Sequence, residues 1–175
     1  MNQYKPFDLE LRLDHKIALI TGAASGIANA TAKMMSKKGA TVIMADIDPQ
    51  VVEAAKEVER ATAVVVDITD YAQLEKTVDS LTKTVGDIDI LCNIAGLGSG
   101  TPAEEISKDE FDRVLKVNLC GAFYLSQIVG RKMIAAGKGG RIISMSSQAG
   151  VVALPGHVAY SASKAGLMAI TRDMA

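Results

Sequence analysis

The sequence predicts an α/β fold in which helices cover both faces of a parallel β-sheet. Two observations predict it. Short apolar runs rich in β-branched residues alternate with longer stretches of helical periodicity, which is the pattern of βαβ units. Most of the runs are continuously apolar, as expected of strands that are buried on both faces of the sheet.

Five strands are predicted, and helices fill the segments between them. The strands are expected at residues 17–21, 41–45, 62–66, 88–92 and 140–145, and the helices near residues 26–38, 50–60, 71–85 and 111–136. In the first helix, Ile27, Ala30, Met34 and Met35 share one stripe, which is expected to face the sheet. Further along, the spacing of Ser107 and Glu110 is that of a capping box at a helix start.

Composition excludes several classes of function. The chain has 175 residues, a net charge of -1 and two cysteines in no metal-ligand spacing. It therefore offers no broad positive field for nucleic acid and no disulfide framework, and no apolar run is long enough to span a membrane. Residues 1–14 are interpreted as an N-terminal arm without a signal peptide, and residues 15–175 as one domain in a cytoplasmic protein.

A glycine-containing turn joins the first strand to the first helix. Gly22 and Gly26 lie in this turn, where glycine allows unusual backbone angles and a close approach of backbone N–H groups to a ligand. The following helix N-terminus favours negative charge, so the expected ligand is a pyrophosphate, as in a Rossmann-type doubly wound sheet. The alternative is a tight strand-to-helix turn that binds nothing.

Asp46 ends the second strand, where a carboxylate can accept hydrogen bonds from the hydroxyls of an adenosine ribose. The same charge repels a 2′-phosphate, and the neighbouring Ser25 and Ile47 supply no compensating cation. NAD is therefore favoured over NADP. The alternative is that Asp46 and Asp48 only cap the next helix, and for Asp48 this is the preferred interpretation.

Tyr160 and Lys164 are four residues apart, so they share a face if this segment is helical. A tyrosine that exchanges protons near neutrality needs a nearby cation to favour its ionised form, and a lysine one helical turn away can supply it. The motif is short enough to occur by chance on a solvated helix face, so its context decides between the two interpretations.

The motifs together resemble the short-chain dehydrogenase/reductase family, in its shorter single-domain type. They occur in the family's order, from about His15 to the last residue: Thr21-Gly22-x-x-x-Gly26-Ile27-Ala28, Asn93-Ile94-Ala95-Gly96, Asn118, Ser147 and Tyr160-x-x-x-Lys164. The serine precedes the tyrosine by the interval that is usual in the family. The combination is far more specific than any one of its parts.

The resemblance implies an NAD-dependent oxidoreductase that acts on a secondary alcohol, such as a polyol or sugar, or on its ketone. Tyr160 would exchange the proton with substrate, and Lys164 would favour the ionised tyrosine and hold the nicotinamide ribose. Ser147 would bind the substrate oxygen. Asn118 would interrupt its helix and hold a water that links Lys164 to solvent. No metal is implied.

The resemblance also implies a set of cofactor-binding residues. Gly22 and Gly26 would line the pyrophosphate turn, with Ser25 beside them and the backbone of Ile27 on the phosphates. The remaining members are Asp46 at the adenosine ribose, Asp67 and Ile68 at the adenine end, and Asn93, Ala95 and Gly96 beside the two riboses, together with Tyr160 and Lys164.

Three departures from the family pattern stand out. Ala28 replaces the third glycine and Ile94 the second asparagine, and both replacements are expected to be tolerated. Relatives usually continue for some 70 more residues that add two strands and a substrate cover, so a fragment of a longer enzyme is expected. The parent protein is expected to be a homodimer or homotetramer.

Two alternatives remain open at this stage: a non-catalytic nucleotide-binding or oligomerising module, and an NADP-dependent carbonyl reductase. Among residues outside the motifs, Cys92 and Cys120 are interpreted as buried structural thiols, because no neighbouring base or cation would activate them. His157, in the loop before Tyr160, is a candidate substrate contact, although no partner for it is evident in the sequence.

Overall fold

A five-stranded parallel sheet forms the centre of the computed structural model, which describes residues 11–152 and 154–175. The strand order is β3-β2-β1-β4-β5. The chain therefore starts in the middle of the sheet, builds outward to one edge, and then crosses to the other side. This is a Rossmann-like arrangement, and the predicted α/β fold class is confirmed.

The helices and strands follow one another in βαβ order. The strands are β1 (Ile17–Thr21), β2 (Thr41–Asp46), β3 (Ala61–Val65), β4 (Ile90–Asn93) and β5 (Arg141–Ser144). The helices are α1 (Gly26–Lys37), α2 (Val51–Lys56), α3 (Tyr71–Thr84), α4 (Lys108–Leu115), α5 (Ala122–Ala136) and α6 (Val158–Asp173). A π-helical segment (Lys116–Gly121) joins α4 to α5, and a 3₁₀ turn (Gln148–Gly150) precedes α6.

Alternate residues of the central strands point to opposite faces of the sheet and build two cores. Leu19, Ile43 and Leu91 pack with α3 and α5 on one face. Ala18 and Met44 pack on the other face, with α1 and α2. The central strands β1, β2 and β4 are buried almost throughout, as predicted, whereas the edge strands β3 and β5 alternate with exposed residues.

The predicted sheet-facing stripe of α1 is wrong. Ile27 is 63% exposed and Met34 is 55% exposed, whereas the buried positions of the helix are Ala28, Ala32 and Ser36. Small side chains let the helix lie close to the sheet directly after the glycine turn, so Ile27 and Met34 are left on the outer side, and of the predicted stripe only Met35 packs partly against the core.

The long helix predicted for residues 111–136 is not continuous, and its interruption lies at Asn118, as the resemblance implies. It begins earlier, at Lys108, with Ser107 accepting the expected capping hydrogen bond from the Glu110 N–H, and the π-helical segment interrupts it. The predicted helix at residues 50–60 is shorter than expected, because α2 ends at Lys56 and a positive φ of 55° at Arg60 leads directly into β3.

Part of the predicted N-terminal arm packs against the domain. Leu13 contacts the core beneath α1, and its N–H donates to the carbonyl of Lys38 at 2.8 Å. Residues 1–10 lie outside the described residues, so the division into an arm and one domain remains a prediction. Within the described ranges, no helix combines the length and the apolar character needed to cross a bilayer.

Candidate active site

An open cleft of about 1120 Å³ lies at the carboxyl ends of the strands. This is the edge of an open α/β sheet at which ligands bind, because the loops that follow the strands meet there. Most of the predicted site residues line the cleft: Gly22, Ser25, Ile27, Asp46, Asp67, Ile68, Ala95, Gly96, Ser147, Tyr160 and Lys164. The sequence motifs, spread over 143 positions from Gly22 to Lys164, therefore meet in one place.

The glycine turn after β1 is held against the loop after β4. Gly22 has a φ of 76°, and a Cβ there would lie 2.9 Å from the Ala95 Cα, so glycine is required on both grounds. The Thr21 hydroxyl accepts hydrogen bonds from the N–H groups of Ile94 and Ala95 at 3.1 and 3.2 Å. Thr21 thus fixes the relative position of two loops that line the same cleft.

The turn has the features of an anion-binding site. Gly26 begins α1 at a φ of 58°, and nothing lies within 4 Å of the place where its Cβ would be. Ser25 precedes the helix without a side-chain capping hydrogen bond, so the first N–H groups of α1 remain available to a ligand. These open backbone donors at a helix N-terminus fit the pyrophosphate of a dinucleotide.

Asp46 lies at the other side of this turn and is already partnered by backbone. Its Oδ2 accepts from the Ala24 N–H at 2.9 Å, and its Oδ1 accepts from the Asp48 N–H at 3.0 Å. Each carboxylate oxygen keeps a lone pair for a ribose hydroxyl, because an ionised oxygen accepts more than one hydrogen bond. The predicted cap of α2 by Asp48 is wrong: the Asp48 Oδ1 accepts from the Gln50 N–H at 2.8 Å in the turn before the helix, and the N-cap position is Gln50, which makes no side-chain capping hydrogen bond.

Tyr160 and Lys164 lie on the same face of α6, one turn apart. The Lys164 Nζ lies 5.7 Å from the centre of the Tyr160 ring and donates to the carbonyl of Met145 at 2.7 Å. Lys164 is only 4% exposed, and this burial lowers the pKa of its ammonium. Within the described residues no carboxylate pairs with this cation, which lies beside the tyrosine ring in the wall of the cleft.

Ser147 lies between β5 and the 3₁₀ turn, where its hydroxyl accepts from the Ala149 N–H at 3.2 Å. The neighbouring Ser146 donates to the carbonyl of Lys164 at 2.9 Å and so joins this segment to α6. A Cβ at Gly150 would lie 2.9 Å from the backbone of Lys164, which shows how closely the two segments pack. The serine, the tyrosine and the lysine are therefore held by one rigid unit.

Asn118 lies in the π-helical segment, so the helix is interrupted at this residue. Its amide Nδ2 donates to the Leu97 carbonyl at 2.9 Å and to the Ser163 hydroxyl at 3.1 Å, and its Oδ1 accepts from the Leu97 N–H at 2.7 Å. A Cβ at Gly96 would lie 3.2 Å from the Asn118 Oδ1 and 3.6 Å from the Lys164 Nζ. Asn118 thus ties the loop after β4 to α6.

Three predicted site residues do not line the cleft: Gly26, Asn93 and Asn118. The Asn93 side chain is buried and donates to the Ser126 hydroxyl at 2.8 Å, so it joins β4 to α5. Gly26 belongs to the turn beside the cleft. Asn118 holds the cleft-lining residue Leu97 through two hydrogen bonds. The ligand roles predicted for these residues remain predictions.

Sequence reasoning missed several residues of the cleft. The cleft is also lined by Arg113, Lys116 and Val117, from α4 and the π-helical segment. Thr21 joins two of its loops through the hydrogen bonds of its hydroxyl. The helix predicted from residue 111 already carries both cations just before Asn118, which was the available signal. Thr21 belonged to the quoted motif, but its hydroxyl role depends on contacts with a distant loop.

The two cysteines differ in their surroundings. Cys92 is 3% exposed in β4, and burial raises the pKa of its thiol, as expected of a structural cysteine. Cys120 lies in the π-helical segment and is half-buried rather than buried. Within the described ranges, no group of three His, Cys, Asp or Glu side chains lies close enough together to hold a metal ion.

Comparisons with known proteins identify the family. Residues 16–175 match the family described as short chain dehydrogenase. The chain belongs to this family. The predicted family and enzyme class, dehydrogenases and reductases acting on CH–OH groups, are therefore confirmed.

Individual relatives within the short chain dehydrogenase family include polyol dehydrogenases. The chain is 43% identical over 174 residues to an NAD-dependent glycerol dehydrogenase of Listeria innocua, covering 98% of this chain and 68% of that protein. It is 41% identical to a D-threitol dehydrogenase of Mycolicibacterium smegmatis, covering 96% of this chain and 66% of that protein. The chain thus spans about two thirds of these relatives, as the coverage shows.

Solved structures of the family share the fold. A crystal structure of NAD⁺-bound xylitol dehydrogenase has a TM-score of 0.86 at 35% identity, covering 91% of this chain and 64% of that one. A short chain dehydrogenase from Mycobacterium smegmatis has a TM-score of 0.91 at 32% identity, covering 97% of this chain and 73% of that one.

Proposed function

We propose that the chain carries the cofactor-binding and catalytic residues of an NAD-dependent dehydrogenase that interconverts a secondary alcohol of a polyol and its ketone. One observation carries the proposal: the Tyr160–Lys164 pair lines the same cleft as the glycine turn and Asp46. An acid/base pair at one end of a dinucleotide-sized cleft is the arrangement that this reaction needs.

The choice of NAD rests on Asp46. Its carboxylate lines the cleft beside the glycine turn, where it would accept from the ribose hydroxyls and repel a 2′-phosphate. The names of two relatives support the choice, since one is an NAD-dependent glycerol dehydrogenase and another was crystallised with NAD⁺. When bound, the nicotinamide supplies the hydride acceptor or donor.

The remaining chemistry belongs to this chain. Ser147 holds the substrate oxygen by a hydrogen bond, and Tyr160 takes the hydroxyl proton during oxidation or returns it during reduction. Lys164 places a positive charge 5.7 Å from the centre of the Tyr160 ring, beside the group that exchanges the proton. Asn118 keeps Gly96 and Leu97 against this cluster and would hold the water that connects Lys164 to solvent.

A polyol is the proposed substrate class because relatives at about 40% identity are named for such compounds. Besides the glycerol and D-threitol enzymes, they include a sorbitol dehydrogenase at 42% and a galactitol 2-dehydrogenase at 40% identity. We also propose a cytoplasmic homo-oligomer, a dimer or a tetramer. Its support is the pair of free thiols and the apolar side chain of Ile134 on α5, which is 82% exposed.

The mechanism is tested with Tyr160→Phe, which keeps the ring and removes the hydroxyl. Turnover of glycerol, D-threitol, xylitol, sorbitol and galactitol is measured by NADH formation, and NADH affinity by fluorescence. Loss of turnover by a factor of 10³ or more, with NADH affinity within about twofold of the parent chain, is expected. Near-normal turnover of the variant would refute the role of Tyr160. A parent chain that binds NADH but oxidises none of the five polyols would favour a non-catalytic module.

A further inference from the structure

His157 stands at the edge of the cleft in a fixed position relative to Tyr160. It lies immediately before α6, where its carbonyl accepts from the Ser161 N–H at 2.7 Å. The centres of the His157 and Tyr160 rings are 6.3 Å apart, and their planes are tilted by 73°. Both side chains line the cleft.

The loop that carries His157 is held in place. Gly156 has a φ of 76°, and a Cβ there would lie 3.1 Å from the Gly100 carbonyl oxygen, so the loop packs against the segment after β4. That segment is in turn held by Glu110, whose carboxylate accepts from the hydroxyls of Ser99 and Thr101 at 3.1 and 2.9 Å. The imidazole therefore projects from a supported wall of the cleft.

One hydrogen bond determines which ring nitrogen of His157 carries the proton. The Nδ1 atom lies 2.8 Å from the carbonyl oxygen of Pro155. A carbonyl oxygen only accepts, so Nδ1 carries hydrogen and donates. In a neutral imidazole the other nitrogen, Nε2, then has a free lone pair and is an acceptor. It lies on the side of the ring away from Pro155.

We propose that His157 is a specificity residue whose Nε2 accepts a hydrogen bond from a second hydroxyl of the substrate, next to the carbon that is oxidised. The inference rests on the proposed function. The ring centres are 6.3 Å apart, which is of the order of the span of a vicinal diol with a hydrogen bond of about 2.8 Å at each end. A vicinal diol fills both positions, whereas a simple secondary alcohol leaves the imidazole without its partner.

The tautomer and the contact are both observable by ¹⁵N NMR of the histidine rings. The sequence has only two histidines, and His15→Asn removes the second signal without strain, because asparagine tolerates the φ of 62° found at His15. The chain is titrated with xylitol and, separately, with pentan-2-ol, in the presence of saturating NADH so that the alcohol is not oxidised. The pH is alkaline, where imidazole is neutral.

The expected result is a His157 ring with protonated Nδ1 and unprotonated Nε2, whose Nε2 signal moves with xylitol and not with pentan-2-ol. The variant His157→Phe should lose about five- to tenfold in affinity for xylitol relative to pentan-2-ol, the loss of one hydrogen bond. A protonated Nε2 in the free chain overturns the inference. So does xylitol binding that shifts the Ser147 amide but leaves Nε2 unmoved, although this result leaves the proposed function standing. Absence of NADH binding refutes the proposed function itself, and the inference falls with it.

Discussion

Replacing Lys164 with methionine is expected to raise the free energy of unfolding while it abolishes turnover. The ammonium is 4% exposed, has no carboxylate partner among the described residues, and is held by one hydrogen bond to the Met145 carbonyl. Burying an ion costs several kcal/mol, and a hydrogen bond from a charged group offsets about 1.5–3 kcal/mol of this. Met145 lines the open cleft, so water can replace the lost donor.

The replacement is expected to raise the free energy of unfolding by about 1–2 kcal/mol, since methionine fills a similar volume without a charge. In a chain of this size that corresponds to a Tm about 2–8 °C higher. The assay is denaturant and thermal unfolding followed by circular dichroism, beside an exposed control, Lys76→Met on α3, which should change stability little. NADH formation from polyols is measured in parallel.

The pH dependence gives a second test of the same argument. Burial lowers the pKa of Lys164 in the folded chain below its usual value of 10.5, so between these two values the unfolded chain binds more protons. Relative to Lys164→Met, the parent chain therefore gains stability with rising pH in that window. The difference between the two is full below the lowered pKa and shrinks as the pH approaches 10.5. A variant that is less stable at every pH, or a difference that stays constant, would refute the reasoning.

Two other substitution and labelling experiments follow from the site. Gly22→Ala should lower the free energy of unfolding by about 1–3 kcal/mol and weaken NADH binding, because it combines a positive φ with a clash against the loop after β4. Stability is measured by thermal unfolding, with Gly98→Ala as the control because space is open around Gly98. In the native chain, a thiol reagent should label Cys120 well before the buried Cys92, as mass spectrometry of the digested protein can show; equal rates would contradict the burial of Cys92.

The strands of the sheet could be predicted from the sequence, but the bounds and buried faces of the helices around it could not. Continuous apolar runs such as Ile17–Thr21 predict buried strands because few other structures tolerate them. The face of α1 was predicted wrongly because Ile27 and Met34 dominate a count of apolar side chains, whereas close packing on the sheet favours Ala28 and Ala32. Which face of α1 meets the sheet depends on the glycine turn that precedes the helix as well as on the helix sequence itself.

The interruption of the long helix depends on tertiary contacts. A Cβ at Gly121 would lie 2.9 Å from the Ile68 Cγ1, so the end of the π-helical segment packs on a loop more than fifty residues away. The sequence marks the position of the interruption at Asn118 but not this contact. The same holds in the site, where the hydrogen bonds of Asn118 to Leu97 and of His157 to Pro155 give these residues their orientation. Spacing identified the side chains, and only the structure supplied their partners.

The most direct test of the proposed cofactor is a fluorescence titration of the 175-residue chain with NADH and with NADPH, repeated with Asp46→Asn. The parent chain should bind NADH at least tenfold more tightly than NADPH. The variant keeps an acceptor for one of the two backbone N–H groups but loses the charge, so this preference should narrow toward equality. NADPH preference in the parent chain, or no saturable binding of either dinucleotide, would contradict the account.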